Sequence, residues 1–137
     1  FPNMFTYNHQ LRVRYGDTDQ MGYVYYGNYG HYYEQARAEA IRSLGISYKQ
    51  LEKMGTMMPI TRMSIKYIQP DYYDELLTIK TIIPRLPNRI IIFQYEVMNE
   101  KKERINEGET QLTFIDIKTK RILSAPQGLL DKLKPFF

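Results

Sequence analysis

Apolar and polar residues alternate near the start of the chain. Tyr7, His9, Leu11, Val13 and Tyr15 fall on one parity, with Arg12 and Arg14 on the other. A period of two with one apolar side predicts a strand with one buried face. Asp17 to Met21 reads as a turn, and Gly22 as a special backbone position. The period then lengthens. Tyr29, Tyr32, Tyr33, Ala36, Ala40 and Leu44 recur at helical spacing, while Glu34, Arg37, Glu39 and Arg42 fill the other side. This predicts an amphipathic helix capped by Asn28 and ended by Gly45. Ser47 is placed to cap a short second helix, Tyr48 to Met54, closed by Gly55.

From Met57 the period returns to two. Thr61, Met63, Ile65 and Tyr67 make one face of a strand, and Arg62, Ser64 and Lys66 the other. Pro70-Asp71 opens a loop. Leu77, Ile79, Thr81 and Ile83 define the next strand, and Pro84 to Asn88 a turn. Ile90 to Met98 is apolar on both sides at first, which predicts a strand buried on both faces, one of them against another subunit. Asn99 to Glu103 is a charged hairpin turn. Ile105 to Ile117 is a long strand with a bulge expected near Gly108. A short strand, Ile122 to Ser124, and a small helix, Leu129 to Leu133, complete the chain. One long helix cannot cover both faces of so much sheet. The expected architecture is therefore α+β, a single domain over residues 1–137, with an antiparallel sheet of about five strands wrapped around the helix.

Composition narrows the chemistry. The chain has 137 residues, 43% of them hydrophobic, enough for one sizeable core. It contains no Cys, so disulfides, thiolate metal sites and cysteine nucleophiles are excluded. That fits a cytoplasmic location. No run of about 18 apolar residues is present, so no membrane-spanning helix is expected. Phe1-Pro2-Asn3-Met4-Phe5 has no signal-peptide pattern and no initiator Met, so a trimmed or upstream-fused start is expected. The net charge of +4 is mild and scattered, which favours anionic small ligands and gives no nucleic-acid motif. His9 and His31 are far apart and have no evident acid or nucleophile partner, so neither a Ser-His-Asp site nor a metal is expected.

The candidate chemistry lies between Tyr15 and Tyr29. Asp17 and Asp19, with Gly16 and Gly22, precede a helix start, and six of the chain's 13 Tyr fall between Tyr23 and Tyr33. The free N–H groups of a helix N-terminus can stabilise a developing negative oxygen. An acid beside such donors is a hydrolase-like pairing. Asp17 suits a structural role in the turn. Tyr23, Tyr25 and Tyr26 are placed to line a pocket.

The string Asp17-Thr18-Asp19, Gly22, Val24-Tyr25-Tyr26, Asn28-Tyr29 and Glu34-Gln35-Ala36-Arg37 resembles the hotdog-fold acyl-CoA thioesterases. The similarity is to the 4-hydroxybenzoyl-CoA thioesterase family and its relatives from the Tol–Pal gene cluster. The Tyr67-x-x-Pro70-x-x-Tyr73-Asp74 segment and the element order extend the resemblance over nearly the whole chain. The resemblance implies a hotdog fold and acyl-CoA hydrolysis without metal or redox cofactor. Asp19 would be catalytic, as nucleophile or general base. The backbone N–H of Tyr26 would hold the thioester carbonyl, with Gly27 and Tyr25 contacting substrate. Arg85 and Arg89 would grip the CoA phosphates. Active sites would lie at the interface of a homodimer, or of a tetramer built as a dimer of dimers. Gly27 departs from the pattern, since relatives carry His or Pro there, which bears on acyl specificity. An acyl-carrier-protein thioesterase and a non-catalytic acyl-CoA-binding module are the alternatives.

Overall fold

The computed structural model describes residues 3–137; Phe1 and Pro2, on which the expectation about the chain start partly rests, lie outside them. Strand β1 (Phe5–Arg12) is followed by α1 (Tyr29–Ser43), α2 (Tyr48–Lys53), β2 (Thr56–Met57), β3 (Ile60–Tyr67), β4 (Leu76–Ile83), β5 (Ile90–Met98), β6 (Arg104–Asp116), β7 (Ile122–Leu123) and α3 (Gln127–Leu133). All strand pairs are antiparallel. The five long strands run β1-β4-β5-β6-β3, and β2 and β7 pair with the far end of β6. The expected α+β wrap is what forms.

The inner face is built by parity. Leu77, Ile79, Thr81 and Ile83 of β4 and Ile91, Phe93, Tyr95 and Val97 of β5 are all buried. They meet Tyr29, Tyr32, Tyr33, Ala36, Ala40 and Ile41 of α1. Burying each large aliphatic side chain is worth about 1.5–3 kcal/mol, so this layer is the main stabilising contact of the domain. Gly45 and Gly55 end the two helices with φ of +90° and +91°, a region that disfavours residues with a Cβ. Ser47 caps α2 reciprocally with Gln50: the Gln50 N–H donates to Ser47 Oγ at 3.2 Å and the Ser47 N–H to Gln50 Oε1 at 2.9 Å.

Several expectations are corrected. β1 ends at Arg12, and a 3₁₀ turn over Tyr15–Asp17 carries Tyr15 out to solvent. Gly108 marks no bulge, because the register runs through it on both sides. A Cβ there would stand 2.5 Å from the Tyr33 hydroxyl oxygen, 2.6 Å from its ring and 2.8 Å from the Ser64 carbonyl. Glycine is required there because the helix presses on the sheet. Arg37, assigned by periodicity to the polar side of α1, is buried. The face of β3 holding Met63 and Tyr67 is only partly covered, at 48% and 50% exposure: the first turn of α1 touches it, Gly30 beside Met63 and Tyr29 beside Tyr67, and β3 is the edge of the five long strands. Ile90 is likewise exposed and Ile92 half-buried, so the outer face of β5 is not covered within one chain.

Candidate active site

After β1 the chain folds into two successive turns. The Asp19 N–H donates to the Tyr23 carbonyl and the Gly22 N–H to the Asp19 carbonyl, each at 3.0 Å. Gly22 has φ +84°, which closes this tight loop and disfavours any residue with a Cβ. The Asp19 carboxylate accepts the Met21 N–H at 2.9 Å through Oδ1. Its Oδ2 has no hydrogen-bond partner among the described residues. One oxygen is thus anchored and the other is left free to act.

Asp17 is used differently. Its Oδ2 accepts the Arg14 N–H at 3.0 Å and the Tyr32 hydroxyl at 2.8 Å. Its carbonyl accepts the Tyr25 N–H at 3.0 Å and Asn28 Nδ2 at 2.8 Å. Asp17 therefore ties the turn to the helix, in keeping with a structural role. Asn28 is not the side-chain cap expected of it: its backbone is already helical, at φ −76° and ψ −16°, and its Nδ2 turns back to donate to the Asp17 carbonyl.

The helix begins through a 3₁₀ turn, Tyr26–Asn28, that runs into α1. The Tyr25 N–H goes to Asp17, that of Asn28 to the Tyr25 carbonyl and that of Tyr29 to the Tyr26 carbonyl. The N–H groups of Tyr26 and Gly27 remain without an acceptor among the described residues. Gly27 makes room for its neighbour: a Cβ there would stand 2.6 Å from Cε2 of Tyr25.

Asp19, Tyr25 and Tyr26 converge on one pocket of about 450 Å³. Tyr23, Tyr29, Tyr67, Ile68 and Pro70 complete its aromatic and apolar wall. The Tyr25 and Tyr26 rings lie 4.7 Å apart, and Tyr67 meets Tyr26 edge-on at 6.3 Å. The Tyr25 phenol is pushed up chiefly by the neighbouring Tyr26 phenol and in smaller part by the Asp19 carboxylate.

Beneath the pocket is a group that sequence reasoning missed. Asp71 is fully buried and accepts the Tyr29 hydroxyl, while its Oδ2 has no partner. Burial pushes its carboxyl up to about 6, against the opposing pull of the Tyr29 hydrogen bond. Its carbonyl takes the Val24 N–H at 3.0 Å, joining the 70s loop to the turn that carries Asp19. An acid between a proline and two tyrosines in a polar loop carries no local mark of burial, so only the tertiary contact reveals it.

Arg85 and Arg89 are exposed in the β4–β5 loop. The pairing of Phe5 with Ile83 and of Arg12 with Leu76 puts that loop at the opposite end of the β1–β4 ladder from Asp19. They are not brought to the Asp19 pocket within one chain. His31 is exposed and His9 half-buried on β1. No cluster of three or more His, Asp or Glu suited to a metal is present among the described residues.

Comparison with known proteins decides the lineage. The sequence profile of the Thioesterase superfamily matches residues 21–105, more than half of the chain. The chain belongs to the Thioesterase superfamily. The matched span contains the helix start, Tyr67 and Asp71, and begins two residues after Asp19. This superfamily member is 34% identical over 94 residues to a putative acyl-CoA thioesterase, YneP, of Bacillus subtilis, covering 69% of the chain and 68% of that relative. It is 27% identical over 124 residues to the acyl-CoA thioester hydrolase YbgC of Escherichia coli, covering 90% and 92%. The solved DHNA-CoA thioesterase of Staphylococcus aureus superposes with a TM-score of 0.84 at 33% identity, over 87% of this chain and 80% of that one. The hotdog fold implied by the family resemblance is therefore the fold of this chain.

Proposed function

We propose that this chain hydrolyses acyl-CoA thioesters to a carboxylic acid and CoA. The observation that carries the reading is that Asp19 and Tyr26, whose N–H is unpaired, line one aromatic-walled pocket, with the unpaired N–H of Gly27 next along the chain. A thioester carbonyl placed on those N–H groups has its developing oxyanion stabilised by the helix start. The free oxygen of Asp19 then either attacks the carbonyl carbon, the C–S bond breaking to release CoA thiolate and leave an anhydride that water hydrolyses, or takes a proton from a water that attacks the carbon directly and expels the thiolate, which that proton neutralises. Either route needs only a carboxylate and backbone donors, so no metal or redox cofactor enters. The names of YneP, YbgC and the Staphylococcus aureus enzyme support CoA as the thiol carrier.

The working unit in this proposal is a homodimer, alone or doubled into a tetramer. The partly covered face of β3 supports it, because Tyr67 and Ile68 of the pocket wall are half-exposed in one chain and a second copy would cover them. In that assembly Arg85 and Arg89 serve the CoA phosphates of the neighbouring site. The cytoplasm, where acyl-CoA is made and used, suits a chain without Cys. No helix among the described residues is long and apolar enough to cross a membrane.

The test is thiol release from a panel of acyl-CoAs, aliphatic and aromatic, by wild type and Asp19→Asn. The absence of Cys removes any thiol background from the protein. A fall in kcat of about 10²–10⁴-fold in the variant is expected. Full activity in Asp19→Asn would remove Asp19 from the chemistry. Turnover of carrier-protein esters alone would move the substrate class, and binding without turnover would make the chain a binding module.

A further inference from the structure

The second half of α1 buries a charge with no counter-charge. Arg37 is 6% exposed, and neither Nε nor Nη1 has a hydrogen-bond partner. Tyr48 on α2 buries a hydroxyl that is equally unpartnered. Both side chains line a pocket of about 180 Å³, walled by Leu51, Met58 and Leu112. Thr56, Glu34 and Glu52 also line it, the two acids exposed, and no carboxylate among the described residues pairs with Arg37. This pocket shares no lining residue with the Asp19 pocket.

A buried guanidinium cannot relieve itself by losing its proton, as a lysine would. Water can occupy its N–H groups but leaves the charge uncompensated. The phenols of Tyr48 and Tyr95 stand against the guanidinium, and its charge, with weak hydrogen bonding to each, partly offsets the rise that burial imposes on them, yet they bring no negative charge. What is missing is an anion that accepts N–H and O–H together. Leu51, Met58 and Leu112 supply the apolar part of the lining, and the two acids beside them disfavour a multiply charged guest.

We propose that this pocket is a second binding site, for a small monocarboxylate. Its oxygens take the Arg37 guanidinium and the Tyr48 hydroxyl, and its hydrocarbon part lies on Leu51, Met58 and Leu112. Carboxylic acids are also what the proposed hydrolysis releases, so the enzyme would meet such ligands in use. The site itself rests on the donor set and not on that reading, and its failure would leave the assignment of Asp19 untouched.

The test uses the ¹⁵N-labelled full chain and sodium benzoate or acetate as the probe. The Nε–Hε resonance of Arg37 is assigned by its loss in Arg37→Lys. It should move downfield and saturate in the millimolar range, with no comparable shift in sodium chloride of equal ionic strength. Tyr48→Phe should weaken the binding about tenfold, the loss of one hydrogen bond to a charged partner. Glu34→Gln should tighten it by removing a neighbouring negative charge. Asp19→Asn should leave the Arg37 shift in place, which separates this site from the hydrolytic pocket. The proposal is overturned by the absence of a saturable shift, or by an equal response to chloride. A ligand-free resonance already downfield that Glu34→Gln moves upfield would also overturn it, because Glu34 would then be the counter-ion. If Arg37→Lys does not fold, Tyr48→Phe still decides: unchanged benzoate affinity in that variant overturns the two-donor site.

Discussion

Asp71 should make the stability of this chain depend on pH in a direction opposite to that of an ordinary surface carboxylate. Its carboxyl is raised from 3.8 to about 6, first by burial and then by the Glu75 carboxylate, with the Tyr29 hydroxyl pulling the other way. The groups facing it also include Tyr32, whose phenol feels both Asp71 and Asp17. The native state therefore holds the Asp71 proton more tightly than the unfolded chain does. Stability from this group is fully present below pH 3.8 and is lost as pH rises through about 6. A shift of that size, at about 1.36 kcal/mol per pH unit, corresponds to about 3 kcal/mol. Asp71→Asn keeps an acceptor for Tyr29 and cannot ionise. Urea unfolding of both proteins from pH 4 to 8 isolates the effect. Relative to wild type, the variant should gain about 2–3 kcal/mol on going from pH 4 to pH 7.5. A difference between the two proteins that stays constant across that range would refute the argument, since it would mean that Asp71 ionises natively as it does in the unfolded chain.

Three further outcomes follow from the geometry. Gly108→Ala forces a Cβ against the Tyr33 ring and the Ser64 carbonyl, and should cost about 1–3 kcal/mol by overpacking, read as a lowered midpoint in urea. Gly27→Ala meets only the far end of the Tyr25 ring, at 2.6 Å, so stability should change by less than about 1 kcal/mol while KM across the acyl panel shifts as Tyr25 swings aside. Arg85→Ala with Arg89→Ala should raise KM for CoA esters more than for short pantetheine esters; equal effects would remove both residues from phosphate recognition.

Much of the architecture was legible in the chain because local periodicity is itself a physical constraint. Alternating Leu77, Ile79, Thr81 and Ile83 can bury only one side of a strand, and all four are fully buried. Gly22, Gly45 and Gly55 announced the positive φ that each adopts. The string from Asp17 to Tyr29 pointed to a site, and Asp19, Tyr25 and Tyr26 do share a pocket. What periodicity could not say is which surfaces are covered. The apolar face of β3 was correctly grouped, yet it is only partly covered, because the sheet order leaves it at an edge where just the first turn of α1 reaches it. Arg37 was assigned to solvent because charge was taken as exposure, whereas α2 and β6 close over it. Gly108 looked like a bulge, and only the approach of Tyr33 shows why a side chain is forbidden there. Sequence by itself determined the order of the elements, the inner faces of β4 and β5 and the acid-before-helix signal, since these follow from each residue's own bonds and neighbours. The burial of Asp71 and Arg37, and the separation of Arg85 and Arg89 from Asp19, were decided by contacts between segments far apart in the chain. Those contacts exist only once the sheet has closed around the helix.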